Sequence, residues 1–94
     1  MTVLFHENPG NVNWGQLRED LTDDEFHNGR TTHQLKLSFE NSQLQAYAND
    51  QERCIGTARA LSDGVGNAYI IDVWTHSSYR KQGIATEMME MMMS

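Results

Sequence analysis

Several things are scarce in this sequence, and each scarcity removes a class of protein. There is one cysteine, Cys54, in 94 residues. No internal disulfide can form, which fits a reducing compartment. Basic residues are few: seven Lys and Arg stand against thirteen Asp and Glu, a formal net charge of −6. That balance disfavours general nucleic-acid binding, which uses a basic surface to displace counterions from phosphates. It suits a cationic or amine partner. The N-terminal stretch MTVLFHENPG has neither a basic leader nor a long apolar run, so neither a signal peptide nor a membrane span is expected. The expected setting is the cytoplasm, with no membrane and no nucleic acid among the partners.

What is present reads as globular. The hydrophobic fraction is 38% and the charged fraction 21%. This length bounds the chain to one domain, residues 1–94, with a thin folding margin. Repeats and linkers are missing. Five of the six methionines fall in the last seven residues.

Met1 to Phe5 reads as a short strand, broken by Pro9-Gly10. In NWGQLREDL, Trp14, Leu17 and Leu21 have helical spacing, with Asn13 as N-cap and Gln16 in the capping-box position. Thr22 and Glu25 form a second apparent capping box, opening a short acidic turn or helix before Asn28-Gly29. HQLKLSFENS is ambiguous: Leu35, Leu37 and Phe39 alternate as in a strand, yet few residues are β-branched. SQLQAYAN reads as a strand with Leu44, Ala46 and Ala48 on one face, Asn49-Asp50 as a turn, and RCIGTARA as the hairpin partner. SDGVGN is a further turn. AYIIDVWT is the most β-prone segment, and Ile70-Ile71 suggests a central strand covered on both faces. HSSYRKQG is a loop. From Gly83 a helix begins, with Ile84, Met88 and Met91 or Met92 on one face. The expected architecture is mixed α/β, a mainly antiparallel sheet with flanking helices.

The chemistry concentrates between Thr75 and Ala85, where a strand ends and a helix opens on a glycine. Helix N-termini carry backbone N–H groups without intrahelical partners and a partial positive charge. A glycine there lets a phosphate approach the backbone. Arg80 and Lys81 add cations to an acidic chain. The pattern suits a phosphate or pyrophosphate. A plain turn with a solvated basic pair has the same spelling, because a single glycine before a helix is a weak signal.

Tyr69 to Met89 resembles the acetyl-CoA-binding motif of the GCN5-related N-acetyltransferases, the GNAT superfamily. Their signature is Arg or Gln, two residues, Gly, one residue, then Gly or Ala; here it is Arg80-Lys81-Gln82-Gly83-Ile84-Ala85. The preceding strand YIIDVWT and spacer HSSY have the family's length and position. SQLQAYAND and RCIGTARALSDG, with Ile55-Gly56 and Arg59, resemble the family's second and third strands. By this comparison HQLKLSFENS is the second helix. The resemblance covers residues 31 to 94, and the N-terminal third fits in outline.

The resemblance implies roles. Backbone N–H groups of Gln82, Gly83, Ile84 and Ala85, with Arg80 and Lys81 nearby, would hold the pyrophosphate of acetyl-CoA. Main-chain groups of Val73, Trp74 and Thr75 would pair with the pantetheine arm and polarise the acetyl carbonyl. The family reaction is acetyl transfer to an amine, in which the enzyme positions the reactants and helps the amine lose a proton. Tyr69 falls where some relatives carry a catalytic glutamate, so that role is not carried over. Asp72, on the same strand, could orient a cationic amine or receive its proton. A carboxylate on a core strand is also commonly a satisfied structural group.

The family domain normally continues past this helix with another strand, a further helix and a final pair of strands. The sequence is therefore expected to be the N-terminal side of that fold, lacking its C-terminal strands and helix, with no residue assignable as general acid. An exposed edge on AYIIDVWT and exposed methionines would then invite a second copy, giving a dimer. Three functions compete: an N-acetyltransferase completed by a partner chain, a catalytically silent CoA-binding or interaction module, and a truncated fragment. His6, His27, His33 and His76 lack metal-ligand spacing, and no metal is expected. Cys54 is expected to be packed rather than nucleophilic. Trp14 reads as core, and Trp74 either packs against a helix or lines the cofactor cleft.

Overall fold

The computed structural model describes residues 3–26 and 28–93. Met1, Thr2, His27 and Ser94 lie outside the described residues, so the expectations that fall on Met1 and His27 are not addressed by it.

The first strand, β1, runs Val3–His6. A short 3-10 turn, Pro9–Asn11, follows, entered through Asn8, whose side chain accepts from the Gly10 N–H. Asn13 caps the first helix, α1 (Trp14–Asp23), by accepting from the Gln16 N–H. The capping box expected at Thr22 and Glu25 is not formed. Thr22 lies inside α1 and its hydroxyl donates to the Arg18 carbonyl, the local alternative open to a helical threonine. The box stands nine residues later. Thr31 accepts from the Gln34 N–H at 3.1 Å while its own N–H donates to Gln34 Oε1 at 2.9 Å. This opens α2 (Thr32–Glu40) and resolves the HQLKLSFENS ambiguity in favour of helix. Leu35 and Phe39, one turn apart, are buried, and Leu37 between them is exposed.

The strands β2 (Leu44–Asp50), β3 (Arg53–Ser62) and β4 (Ala68–Thr75) form an antiparallel meander, and α3 (Ile84–Met93) closes the described chain. The first hairpin turn falls at Gln51-Glu52, not at Asn49-Asp50. Asn49 stays in β2 because its side chain has tertiary partners: its amide donates to the Asn11 carbonyl and its oxygen faces the His6 ring. The second turn is organised by Asp63, whose Oδ1 accepts from three successive backbone N–H groups, of Val65, Gly66 and Asn67. These bonds hold the Asp63 carboxyl far below its ordinary pKa.

Sheet order is β1-β2-β3-β4. Among the described residues, β4 is therefore an edge strand. Ile70 and Ile71 are half-buried, not covered on both faces as a central strand would be. Two β-bulges interrupt the ladder. Ile55 is the extra residue between the pairs Ala48–Gly56 and Asn49–Cys54. On β4 the extra residue lies at Asp72-Val73, between the pairs Ile71–Arg59 and Trp74–Thr57.

The sheet has a helix layer on each side. Toward α1 and α2 it presents Tyr47, Cys54 and Trp74, which pack with Trp14, Leu17, Leu21, Leu35 and Phe39. Toward α3 it presents Ala46, Ala48, Ile55, Ala58 and Ala60, covered by Ile84, Met88 and Met92. Of the α3 methionines, Met88 and Met92 are buried, Met89 and Met91 half-buried and Met93 exposed, so the expectation of exposed methionines holds for Met93. Gly56 belongs to the same small-residue stripe. A Cβ there would stand 3.1 Å from Met88 Cε, 3.2 Å from Ile84 Cγ2 and 3.3 Å from Ala48 Cβ, so α3 approaches the sheet as closely as a glycine permits.

Candidate active site

The end of β4, the loop after it and the start of α3 enclose a groove of about 390 Å³. Its walls are Val73, Thr75, Tyr79, Arg80, Lys81, Gly83, Ile84, Ala85 and Thr86. Seven of the nine positions expected to hold cofactor are thus brought together. The two exceptions are Gln82, which is exposed on the loop, and Trp74. The Trp74 side chain points to the opposite face, is 3% exposed, and donates its indole N–H to Asp24 at 2.8 Å. Tyr79 and Thr86 complete the walls and carried no signal in the sequence. Other hollows of the surface, beside β1 and beside the Asp63 turn, are larger but lie away from this loop.

The helix start is arranged for an anion. The Gly83 carbonyl accepts the first helical bond, from the Glu87 N–H, which makes Gly83 the N-cap. Glycine has no side chain with which to cap the N–H groups of Ile84, Ala85 and Thr86. Gly83 has φ +78, and a Cβ built on it meets nothing within 4 Å. The left-handed backbone, rather than crowding, is what calls for glycine, and the space above it lies open to a ligand. Lys81 also has a left-handed backbone, at φ 64.

Three ties fix the loop. His76 accepts from the Ser78 N–H at 3.0 Å and lies edge-on to both Trp74 and Tyr79. The Tyr79 hydroxyl donates to the Asp50 carboxylate, which raises the Tyr79 pKa. Arg80 donates to the Thr75 carbonyl at 3.0 Å and to Asp24 at 2.9 Å.

The bulge on β4 is held from the other side. Asp72 has φ 54, an uncommon conformation for a residue other than glycine. Its carboxylate takes a bidentate pair from Arg30 at 2.9 and 3.1 Å and a third bond from Arg59 Nε at 2.6 Å. The Thr57 hydroxyl donates to the Asp72 carbonyl at 3.0 Å. Arg59 in turn lies over the Phe39 ring and donates to Ser42. Burial opposes ionisation of Asp72, but the hydrogen bonds and charges of Arg30 and Arg59 outweigh it and hold the carboxyl below its ordinary pKa. Arg30, forty-two positions away in sequence, was not foreseen.

Cys54 is buried, its thiol donates to the Gly56 carbonyl at 3.2 Å, and burial pushes its pKa up to about 12. It is packed and unreactive. Among the described residues no group of three or more His, Cys, Asp or Glu is placed to hold a metal ion. No helix there is long and apolar enough to cross a membrane.

Residues 11–94 match the acetyltransferase (GNAT) family. The chain belongs to the GNAT family. Solved structures of GNAT proteins share its fold. A GNAT-family protein from Xanthomonas campestris superposes with a TM-score of 0.80 at 20% identity, covering 100% of this chain and 66% of its own. A GNAT acetyltransferase from Streptococcus pneumoniae gives 0.67 at 22% identity, with coverage of 96% and 63%. An aminoglycoside 6'-N-acetyltransferase complexed with coenzyme A gives 0.74 at 21% identity, with coverage of 94% and 52%. This GNAT chain thus spans about two thirds or less of the length of these structures. No curated protein matches the sequence significantly.

Proposed function

We propose that the chain binds acetyl-CoA in the groove and serves acetyl transfer to a primary amine. The observation that carries this reading is the meeting of a bulged edge strand with a glycine-led helix start in one groove, in a chain of the GNAT family. A solved GNAT structure complexed with coenzyme A lends support. The space above Gly83 fits a group that must approach backbone N–H closely, as a pyrophosphate does. Lys81 and Arg80 would add charge, with Gln82, Ile84 and Ala85 offering main-chain N–H groups. The main chain of Val73, Trp74 and Thr75 would pair with the pantetheine arm as an added strand would. Acetyl-CoA so held would supply an acyl group activated as a thioester, which passes to the amine nitrogen as the thiol is released. The chain's own part is to fix that carbonyl and the amine in line. Asp72, committed to two guanidiniums, serves in this reading to hold the bulge and not as a strong base.

That commitment favours a second reading, a CoA-binding module without turnover. The open edge of β4 also suits a further strand from a second copy of the chain, which would finish the cleft.

Calorimetric titration with acetyl-CoA, at a known solution mass, tests the binding that both readings require. Binding at about micromolar strength, roughly −8 kcal/mol, is expected, with a dimer. Gly83→Val should abolish it while the fold persists, because a β-branched side chain is strained at that φ and fills the anion space. Unaltered binding in that variant sinks the pyrophosphate assignment. Release of CoA thiol across a panel of amines then distinguishes enzyme from silent module, and buried Cys54 leaves little background for a thiol reagent.

A further inference from the structure

One carboxylate joins the segment after α1 to the groove. Asp24 uses a single oxygen, Oδ2, to accept from the Trp74 indole N–H at 2.8 Å and from Arg80 Nη2 at 2.9 Å. Arg80 is also a wall of the groove. Its side chain is 52% exposed, against 24% for Asp24. One guanidinium therefore stands between a fixed carboxylate and a site suited to phosphate.

The geometry points to Asp24 as an internal anion that competes with the cofactor's phosphates for Arg80, and thereby sets cofactor affinity. This rests on the acetyl-CoA reading above. A guanidinium paired with a carboxylate offers less net charge to an arriving polyanion, and the polyanion meets the carboxylate's own charge. Asp24 has little freedom to yield. The indole it accepts from is buried, and leaving that N–H without an acceptor costs the desolvation of a buried donor. Arg80, long and half-exposed, is the partner able to turn. Its Nε bond to the Thr75 carbonyl keeps it at the groove's mouth. Whatever phosphate gains from Arg80, the α1 end loses, and the coupling runs equally in both directions.

The test is titration of the full chain with acetyl-CoA as wild type, Asp24→Asn, Asp23→Asn and Arg80→Ala, at low and high salt. Asn keeps an oxygen for the Trp74 indole and removes the charge. Asp23 is exposed, one residue away, and controls for net charge. Asp24→Asn should bind about five-fold tighter than wild type, an advantage that shrinks as salt rises. Asp23→Asn should stay within about two-fold. In the Arg80→Ala background the gain from Asp24→Asn should fall to within about two-fold, the carboxylate's direct repulsion alone. Equal affinities for Asp24→Asn and Asp23→Asn overturn the competition and leave the cofactor reading intact. Absence of binding by all variants overturns the cofactor reading, and the competition with it. On the unaltered chain, the Trp74 indole N–H resonance should move at saturating acetyl-CoA as Asp24 loses its counter-charge. A resonance that stays in place overturns the inference without any substitution.

Discussion

The two faces of the sheet solve the same packing problem with different materials. The α1/α2 face is built of large rings: Trp14, Phe39 and Tyr47 stand 5.5 to 5.9 Å apart, centroid to centroid. Beside them lie the charged partners of Asp72. The α3 face is built of alanines, one glycine, Ile55, Ile84 and methionines. Rings and bidentate ion pairs have few acceptable geometries, so the first face specifies position. Small residues let a helix come close, and unbranched methionines fill whatever gap remains. The face that must carry the anion loop is thus set by close approach, and the face that must hold the bulge is set by directional bonds.

Substitutions on either side test that contrast. The largest loss is expected from Phe39→Ala, about 4 kcal/mol in denaturant unfolding, because a rigid cluster cannot collapse into the space. A loss below about 2 kcal/mol would show this face to be as compliant as the other. Next, Asp72→Ala should cost about 3 kcal/mol at neutral pH, by leaving Arg30 and Arg59 without their shared anion. Its pH signature has a definite sign. The carboxyl's pKa is depressed in the folded chain, so its stabilisation is complete above the ordinary value of 3.8 and drains away as pH falls through the lower folded value. Asp72→Asn should therefore flatten the acid limb of the stability profile, and an unchanged limb would place acid sensitivity elsewhere. Gly56→Ala should cost about 2 kcal/mol and weaken acetyl-CoA binding, since Ile84 and Met88 must move with the start of α3. Were binding unaffected, the loop would not depend on how closely α3 sits. The smallest effect, under about 1 kcal/mol, is expected from Met88→Leu, a volume-conserving change in an adaptable layer.

What the sequence disclosed was mainly local. The β-branched run of β4, the Asn13 cap and the spacing of Ile84, Met88 and Met92 each depend on neighbours within a turn or two, and each is found as read. The motif from Arg80 to Ala85 stands where a strand hands over to a helix. The second capping box was misplaced because Thr22-Glu25 and Thr31-Gln34 share a pattern, and the periodicity of α1 decides between them only when Leu17 and Leu21 are seen buried. The α2 segment was ambiguous because an exposed Leu37 counterfeits strand alternation. The edge position of β4 agrees with the exposed edge that the family resemblance implied and overturns the central strand that Ile70-Ile71 suggested, because strand pairing is not encoded in composition. Arg30 with Asp72, Asp24 with Arg80 and Asp50 with Tyr79 join residues far apart in the chain, and no spacing rule reaches them.

The meander has a kinetic consequence. β2, β3 and β4 are linked by two short turns, one of them closed by Asp63, and the anion loop follows directly. β1 meets β2 only after both intervening helices have been gathered in. Loop-closure entropy favours short-range pairing first. Nucleation is accordingly expected in the two hairpins and α3, with β1, α1 and α2 condensing onto them. Substitutions at Ala58 should then slow folding, and those at Leu17 should chiefly hasten unfolding. The half that offers the groove would take shape before the segment that holds Arg80 from across it.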